Sequence, residues 1–295
     1  MRLTFTIPFY AGPAYLADAL ESLRTQSDEQ WNAVVFDDSA AKGEARALVE
    51  SFRDARIAYR ANPGTLGMVR CWNRCLAEAE GELVTLLHAD DRLLSGYAAT
   101  VKALAAAHPE AVAYFTAAET IDEHGARCFS LQDDIKRLFV PRGGTEVVLR
   151  GEAGLRTLVR GDFIVCPSLC FRRAQLGERR FAERWRQVQD LEFLARLLTD
   201  GETLVGARAQ HYAYRRHAAN ATAQHTASLL RFEEEFALYA EIAAQAERHG
   251  WPRAAASARA KTILRLHLAW RVLSEFARLR LALATRTLGF LLTRR

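Results

Sequence analysis

Apolar residues in the first 120 positions fall into short unbroken runs, each followed by a stretch with helical spacing. Leu3-Thr4-Phe5-Thr6-Ile7 reads as a strand stopped by Pro8. A helix follows from about Pro13 to Leu23, with Pro in its first turn, where the missing N–H costs little. Ala33-Val34-Val35-Phe36 is a continuous apolar run ending in Asp37-Asp38-Ser39, the pattern of a strand buried on both faces. Then come a helix over 43–52, a weaker strand over 56–59, a turn at Asn62-Pro63-Gly64 and a helix over 67–79. The fourth strand, Leu83 to Leu87, runs directly into His88-Ala89-Asp90-Asp91. A helix over 93–107 and a fifth strand, Ala111 to Phe115, complete the alternation. Strands separated by helical patterns of about 10–15 residues predict βαβ units and a mostly parallel sheet.

The pattern then changes. After a turn at Ile121 to Gly125, residues 126–150 are mixed and polar, with Pro141 and Gly143-Gly144, and read as a mobile connection or lid. Phe163 to Phe171 is strand-like, 187–198 reads as a helix, and 212–217 as a short strand or extended stretch. From Ser228 onward the chain reads as helix, interrupted near Gly250-Trp251-Pro252. In this tail Ile263, Leu266, Trp270, Leu273, Ala277, Leu281, Ala284, Leu288 and Leu291 recur every three or four residues as one apolar stripe. The stripe suits packing against the body or a partner helix, a second copy included. It also suits an interfacial helix on an anionic membrane face.

Composition narrows the class. The 295 residues are 50% hydrophobic and 25% charged, ordinary globular usage. No apolar run reaches the roughly 18–20 residues of a membrane span. Met1-Arg2-Leu3-Thr4-Phe5 enters a strand pattern without a signal-peptide layout, so a cytoplasmic protein is expected, at most peripheral to the inner face of a membrane. Charge is uneven. Residues 251–295 hold ten Lys or Arg against one acid, Glu275, a net +9 that leaves −4 on the first 250 residues of a chain whose total is +5. That distribution points to an anionic partner for the tail. Only four of the 40 basic residues are Lys, a bias that genome composition explains, and no nucleic-acid partner is expected. Five cysteines fit a reducing compartment. Cys71/Cys75 and Cys166/Cys170 lack the usual zinc spacing and read as small core residues.

In an open parallel sheet, ligands bind at the carboxyl ends of strands. Three polar clusters fall at such ends: Pro8-Phe9-Tyr10, Asp37-Asp38-Ser39 and His88-Ala89-Asp90-Asp91. Neither a Gly-x-Gly-x-x-Gly nor a P-loop pattern is present, which excludes the usual dinucleotide and P-loop readings. Carboxylates crowded in one cleft repel a phosphorylated ligand unless a divalent cation intervenes, and Mg²⁺ or Mn²⁺ commonly bridges carboxylates to phosphates. A nucleoside diphosphate held through metal is therefore expected. Each cluster has a plainer alternative: Asp37-Asp38-Ser39 and Asp90-Asp91 also suit helix N-caps.

Several segments resemble the family 2 glycosyltransferases of GT-A fold. They are Ile7 to Tyr10, Val34 to Ser39, Asn62 to Gly67, Asn73-Arg74-Cys75, Gly81 to Asp91, Cys166-Pro167-Ser168, Gln189 to Glu192 and Tyr214 to His217, in the family's order over residues 1–225. The resemblance implies a Rossmann-like, mostly parallel sheet flanked by helices, with residues 226–295 as a basic helical extension. It also implies inverting transfer of a sugar from a UDP- or dTDP-sugar to a glycan or lipid-linked acceptor hydroxyl, with Mg²⁺ or Mn²⁺, as in bacterial surface-polysaccharide assembly. Carried over by position, Pro8 and Tyr10 line the base pocket, and Asp38, with Asp37, recognises the base. Asp90 faces the ribose or sugar, Asp91 holds the metal and Asp190 is the general base. His217 approaches the metal or diphosphate, Arg215 or Arg216 adds positive charge, and Arg70 and Asn73 border the donor pocket.

The chain departs from the family at two of these points. His88 stands where most members carry a carboxylate, although a subgroup has Leu-His-x-Asp-Asp, and Gln189 replaces the Glu of a usual Glu-Asp pair. Two other classes remain in view. A sugar-phosphate nucleotidyltransferase normally needs a basic Gly-rich loop after its first strand, which Pro8 to Pro13 does not supply. The other is a non-catalytic scaffold held at a membrane by its tail.

Overall fold

The computed structural model describes residues 1–40, 43–218, 225–226 and 228–293. Three βα units open the chain: β1 (Leu3–Phe9), α1 (Pro13–Arg24), β2 (Trp31–Asp37), α2 (Gly43–Ser51), β3 (Ile57–Ala61) and α3 (Met68–Glu78). They lead to β4 (Leu83–Leu86), β5 (Arg92–Leu93), α4 (Tyr97–Ala107) and β6 (Ala113–Ile121). Next are α5 (Leu131–Arg137), β7 (Glu146–Arg150), α6 (Gly151–Gly161), a 3₁₀ turn (Cys166–Ser168), β8 (Leu169–Arg172), α7 (Arg173–Leu176), α8 (Gln189–Thr199) and β9 (Thr203–Arg215). Four helices close the chain: α9 (Leu230–Arg248), α10 (Pro252–Ala260), α11 (Thr262–Ala277) and α12 (Leu281–Thr293).

The strands form one sheet in the order β3-β2-β1-β4-β8-β6-β9-β5, with β7 on β9. The first four pair in parallel as expected. The rest do not follow that rule: β8 is antiparallel to both β4 and β6, β5 and β7 are antiparallel to β9, and only β6–β9 is parallel. The sheet is therefore mixed. Residues 126–150, read as a connection, hold α5 and β7 instead. β9 is 13 residues long rather than a short stretch, because it pairs with three other strands and so satisfies its backbone on both edges.

Burial follows from the pleat. Ala33 and Val35 of β2 join α1 and α4 on one face, while Val34 and Phe36 join α3, α6 and α8 on the other. That explains the unbroken apolar run. Pro8 does not stop β1. The carbonyls of Thr6 and Phe9 bond to Leu87 and Asp38, so even positions of β1 face β4 and odd ones face β2. Pro8 faces a stretch that β4 no longer reaches, and its missing N–H breaks no ladder bond. In β9, Gly206 is required by close approach: a Cβ there would lie 2.1 Å from the Phe115 ring.

The closing helices are not an appendage. Leu238, Tyr239 and Ile242 of α9 and Ala254, Ala255 and Ala258 of α10 belong to the same buried cluster as the sheet. α11 adds Leu264 and Leu268 to a smaller cluster with Phe232 and Phe236, backed by Phe290 and Leu291 of α12. Besides the break at Trp251, the tail turns again at Lys261 and Leu279, both with left-handed φ, so the expected single stripe is divided between two helices. No helix among the described residues is long and apolar enough to cross a membrane. Arg294 and Arg295, counted in the basic tail, lie outside the described residues.

Candidate active site

The carboxyl ends of β1, β2 and β4 open into a cavity of about 1270 Å³. Its strand-end wall carries Pro8 near the end of β1 and Tyr10 just past it, Asp38 after β2, and His88 and Asp90 after β4. Its far wall carries Phe115–Ala118, Lys136, Asp162–Pro167, Gln187–Asp190, Arg216–His217, Arg231 and four residues of α11: Ile263, Leu266, His267 and Trp270. Seven sequence-derived candidates thus meet around one space: Pro8, Tyr10, Asp38, Asp90, Asp190, Arg216 and His217.

Asp38 is buried and holds a loop. Its Oδ1 accepts from Asn62 Nδ2 and the Leu66 N–H, both at 2.7 Å, and its Oδ2 accepts from the Gly67 N–H at 2.9 Å. A carboxylate takes about four donors, and among the described residues three are filled, which leaves one position on a group that lines the cavity. Asp37 is placed differently. It is fully buried, accepts from the Ser39 N–H and hydroxyl and from Tyr59 Oη, and does not line the cavity. It closes the turn after β2.

The adjacent acids after β4 also divide. Asp90 Oδ2 lies 3.1 Å from His217 Nε2, whose ring packs on Tyr15. Burial pushes the Asp90 carboxyl up, but the hydrogen bond and charge of His217, with His88, outweigh it and hold the group below its ordinary range. Asp91 is completely buried and off the cavity: Tyr212 Oη donates to its Oδ2 at 2.9 Å and the Arg215 N–H to its Oδ1 at 2.7 Å. Burial, with the Asp90 charge beside it, pushes Asp91 well up. Asp90 presents an anionic oxygen to the cavity, and Asp91 ties the strand end to β9.

A divalent cation suits this corner. His88, Asp90 and Asp91 each place one ligand atom within 4.8 Å of the others. The buried His88 Nε2 has no hydrogen-bond partner among the described residues, and burial lowers the imidazole toward its neutral, ligating form. The His88 ring is backed by Trp72, with centroids 4.8 Å apart. The 3.1 Å between Asp90 and His217 is close to the roughly 3 Å that separates two neighbouring oxygen or nitrogen ligands of a small octahedral ion.

Asp190 opens α8 and faces the cavity, its Oδ1 accepting from the N–H of Leu191. Burial, and then the Asp162 carboxylate, raise it to about 6. Asp162 is the C-cap of α6 in a left-handed conformation, φ 43°, and Lys136 Nζ lies 2.6 Å from its Oδ2. Beside Asp190, the buried Gln189 Oε1 has no partner among the described residues. Positive charge gathers deeper along this wall: burial and the cations of Arg231, Lys136, Arg271 and Arg216 push His267 down to about 2.

Three further expectations fall outside the cavity. Arg70 Nε pairs with Glu183 at 2.7 Å on the exposed side of α3. Asn73 uses its whole amide on the backbone of Phe181, donating from Nδ2 and accepting at Oδ1, both at 2.9 Å. Arg215 is buried, bonded to the Asp90 carbonyl and to Asp18, and only Arg216 reaches the lining. The face of α3 that does reach it bears Met68, Cys71 and Trp72. That face was readable, since Trp72 and Cys71 carry the helix's apolar side. Lys136 and Asp162 had no comparable signal, because nothing local marks an ion pair 26 residues apart in sequence. Cys71, Cys75, Cys166 and Cys170 are all buried and free, as expected of core thiols.

Comparison with known proteins agrees with this architecture. The family model described as Glycosyl transferase family 2 matches residues 4–174. An uncharacterised protein, y4gI of Sinorhizobium fredii, is 28% identical over 129 residues, 43% of this chain but only 14% of that protein's length. Among solved structures, S. aureus TarS 1-349 in complex with UDP-GlcNAc superposes with a TM-score of 0.62 at 17% identity, over 83% of this chain and 66% of that one. The mannosyltransferase PcManGT from Pyrobaculum calidifontis, in complex with GDP-Man and Mn²⁺, superposes with a TM-score of 0.60 at 16% identity, over 99% and 85%. At such identities the structural likeness concerns the fold, a GT-A α/β sheet with helices on both faces.

Proposed function

The chain belongs to glycosyl transferase family 2, and from that premise we propose that it is an inverting, metal-dependent transferase of a sugar from a nucleoside diphosphate to an acceptor hydroxyl. The observation that carries this reading is the meeting of the Asp90–His217 pair with Asp190 across one cavity at the strand ends. Pro8, Tyr10, Asp38 and Trp72 line the side that suits the nucleotide. The open position on Asp38 suits the imide N–H of uracil or thymine, which favours a UDP- or dTDP-sugar. That TarS was solved with UDP-GlcNAc and PcManGT with GDP-Man and Mn²⁺ supports a nucleotide-sugar donor here without choosing the base.

Asp90 is the ligand proposed for Mg²⁺ or Mn²⁺, with His217 and His88 as neighbours able to join it. Bound there, the ion would neutralise charge on the diphosphate as it leaves. Asp190 takes the acceptor proton, and its raised pKa of about 6 makes it a stronger base than an ordinary carboxylate while leaving it ionised at neutral pH. Arg216 and His217 add positive charge toward the leaving group. Residues 1–225 are the proposed catalytic unit, with the helices of 226–295 walling its cavity. The proposed acceptor is a glycan or a lipid-linked sugar, and the proposed setting is bacterial surface-polysaccharide assembly in the cytoplasm.

The test is release of nucleoside diphosphate from UDP-, dTDP- and GDP-sugars, with and without Mn²⁺, beside thermal shifts of the same mixtures. Turnover of a UDP- or dTDP-sugar that needs the cation is expected. Stabilisation only by a nucleoside triphosphate with a sugar 1-phosphate would support a nucleotidyltransferase instead, and neither turnover nor stabilisation would leave the scaffold reading.

A further inference from the structure

Helix α11 is apolar on two opposite sides. Leu264, Leu268 and Val272 turn inward, where the first two pack on Phe232 and Phe236. Leu266, Trp270 and Leu273, spaced four and three residues apart, turn outward and are 49%, 45% and 63% exposed. The uncovered surface continues through Leu279 and Leu281 at the turn into α12, which are 83% and 57% exposed. A contiguous row of large apolar side chains in the open marks an interaction surface.

The charges around it have one sign. Arg265, Arg278, Arg280 and Arg286 are exposed, and none is paired with an acid among the described residues. Glu275, the one acid of these helices, is buried against Arg271 Nε at 2.7 Å and accepts from Thr287 Oγ1. We propose that this face of α11 and α12 docks on an anionic lipid bilayer, with Trp270, Leu273, Leu279 and Leu281 entering the headgroup and acyl boundary and the arginines meeting the phosphates. An apolar row with Trp at its centre and arginines at its flanks is the composition that lies in such an interface. A second copy is the poorer occupant: two-fold contact would set arginine against arginine with no exposed acid to offset them.

Leu266 and Trp270 also line the cavity, so a docked bilayer meets its far wall, which Asp190 lines as well. A lipid-linked acceptor would then keep its chain in the membrane while its hydroxyl enters the cavity. That consequence rests on the transfer reading; the docking does not.

The experiment is co-sedimentation of the full chain with vesicles of phosphatidylcholine alone or mixed with phosphatidylglycerol, at low and high salt. Binding to the mixed vesicles at least tenfold tighter than to the neutral ones is expected, and raising salt should weaken it severalfold by screening. L273S/L279S/L281S should lose most binding, and R278S/R280S/R286S at least tenfold, both with the thermal midpoint and the turnover of a water-soluble acceptor unchanged. Equal binding to both vesicles, absence of binding, or triple variants that bind like the parent would overturn the proposal. So would a dimer in light scattering that the leucine variant dissolves. Vesicle binding without any sugar transfer would leave the docking intact and reject the enzymatic reading alone.

Discussion

The cavity has two walls of different origin. The strand-end wall comes from successive βα units between Pro8 and Asp90, each contributing the residues just past a parallel strand. The far wall is gathered from pieces of β6, α5, the turn after α6, α8, the end of β9, α9 and α11, spread over more than 150 residues. The first wall is acidic and follows a rule of position: strand ends hold ligands. The second follows no rule of position and carries the tuned groups, Asp190 beside Asp162 and the neutral His267 among cations. Strand-end geometry thus places Asp38 and Asp90, while long-range packing sets the ionisation of Asp190 and His267.

The sharpest break between the walls is expected from Asp190→Asn. Loss of a general base should lower kcat by roughly 10²–10⁴-fold. The same change should stabilise the fold at pH 7, by about 1–2 kcal/mol. The sign follows from a folded pKa of about 6 above an ordinary value of 3.8: as pH rises between the two, the unfolded chain ionises first and stability falls, with the full cost present above pH 6. Below about pH 4 the variant and parent should melt together, which thermal melts across pH will check. A residue that is inactive when replaced yet more stable marks function rather than structure.

On the strand-end wall, Asp90→Ala should reduce turnover by roughly 10²–10³-fold and abolish stimulation by Mn²⁺ in the same assay. Its neighbour should behave in the opposite way. Asp91→Ala leaves the Tyr212 hydroxyl and the Arg215 N–H unpaired in a dry site and should cost about 2–4 kcal/mol of stability, measured by urea denaturation. If Asp91→Ala instead melted like the parent and lost only metal dependence, the division of roles between the two acids would be reversed.

A smaller effect separates the walls by pH. Turnover should rise through an apparent pKa of about 6 as Asp190 ionises. Asp162→Asn removes a like charge and frees the Lys136 cation, so the rise should move to lower pH by about half a unit to one unit in the pH profile of kcat/KM. The smallest change is expected from Arg70→Ala. Its exposed pair with Glu183 should contribute less than about 1 kcal/mol, and donor KM should stay put.

What could be read in advance followed the same division. The parallel half was legible because each strand there is a short apolar run with a helical pattern behind it, and its period is local. The antiparallel half was legible only in part: strand character showed at 163–171 and 212–217, but β5 has two residues, too few to show a period, and β9 owes its length to partners on both edges. Lys136 in α5 lay in a segment whose polar, Gly-rich composition hid both its helix and its strand.

Asp90 and Asp91 show where the limit falls. The chain alone specified that two acids follow a strand in a parallel sheet, that the tail is basic and amphipathic, and that an acid opens α8. It did not specify which acid faces the cavity. The two follow each other through a turn after β4, and the choice between them was made by the pairing of β5 with β9, Arg92 opposite Ala213 and Leu93 opposite Tyr212. That register brings Tyr212 and Arg215 onto Asp91, leaves Asp90 beside His217, and lies more than 100 residues away in sequence, beyond the reach of any local pattern.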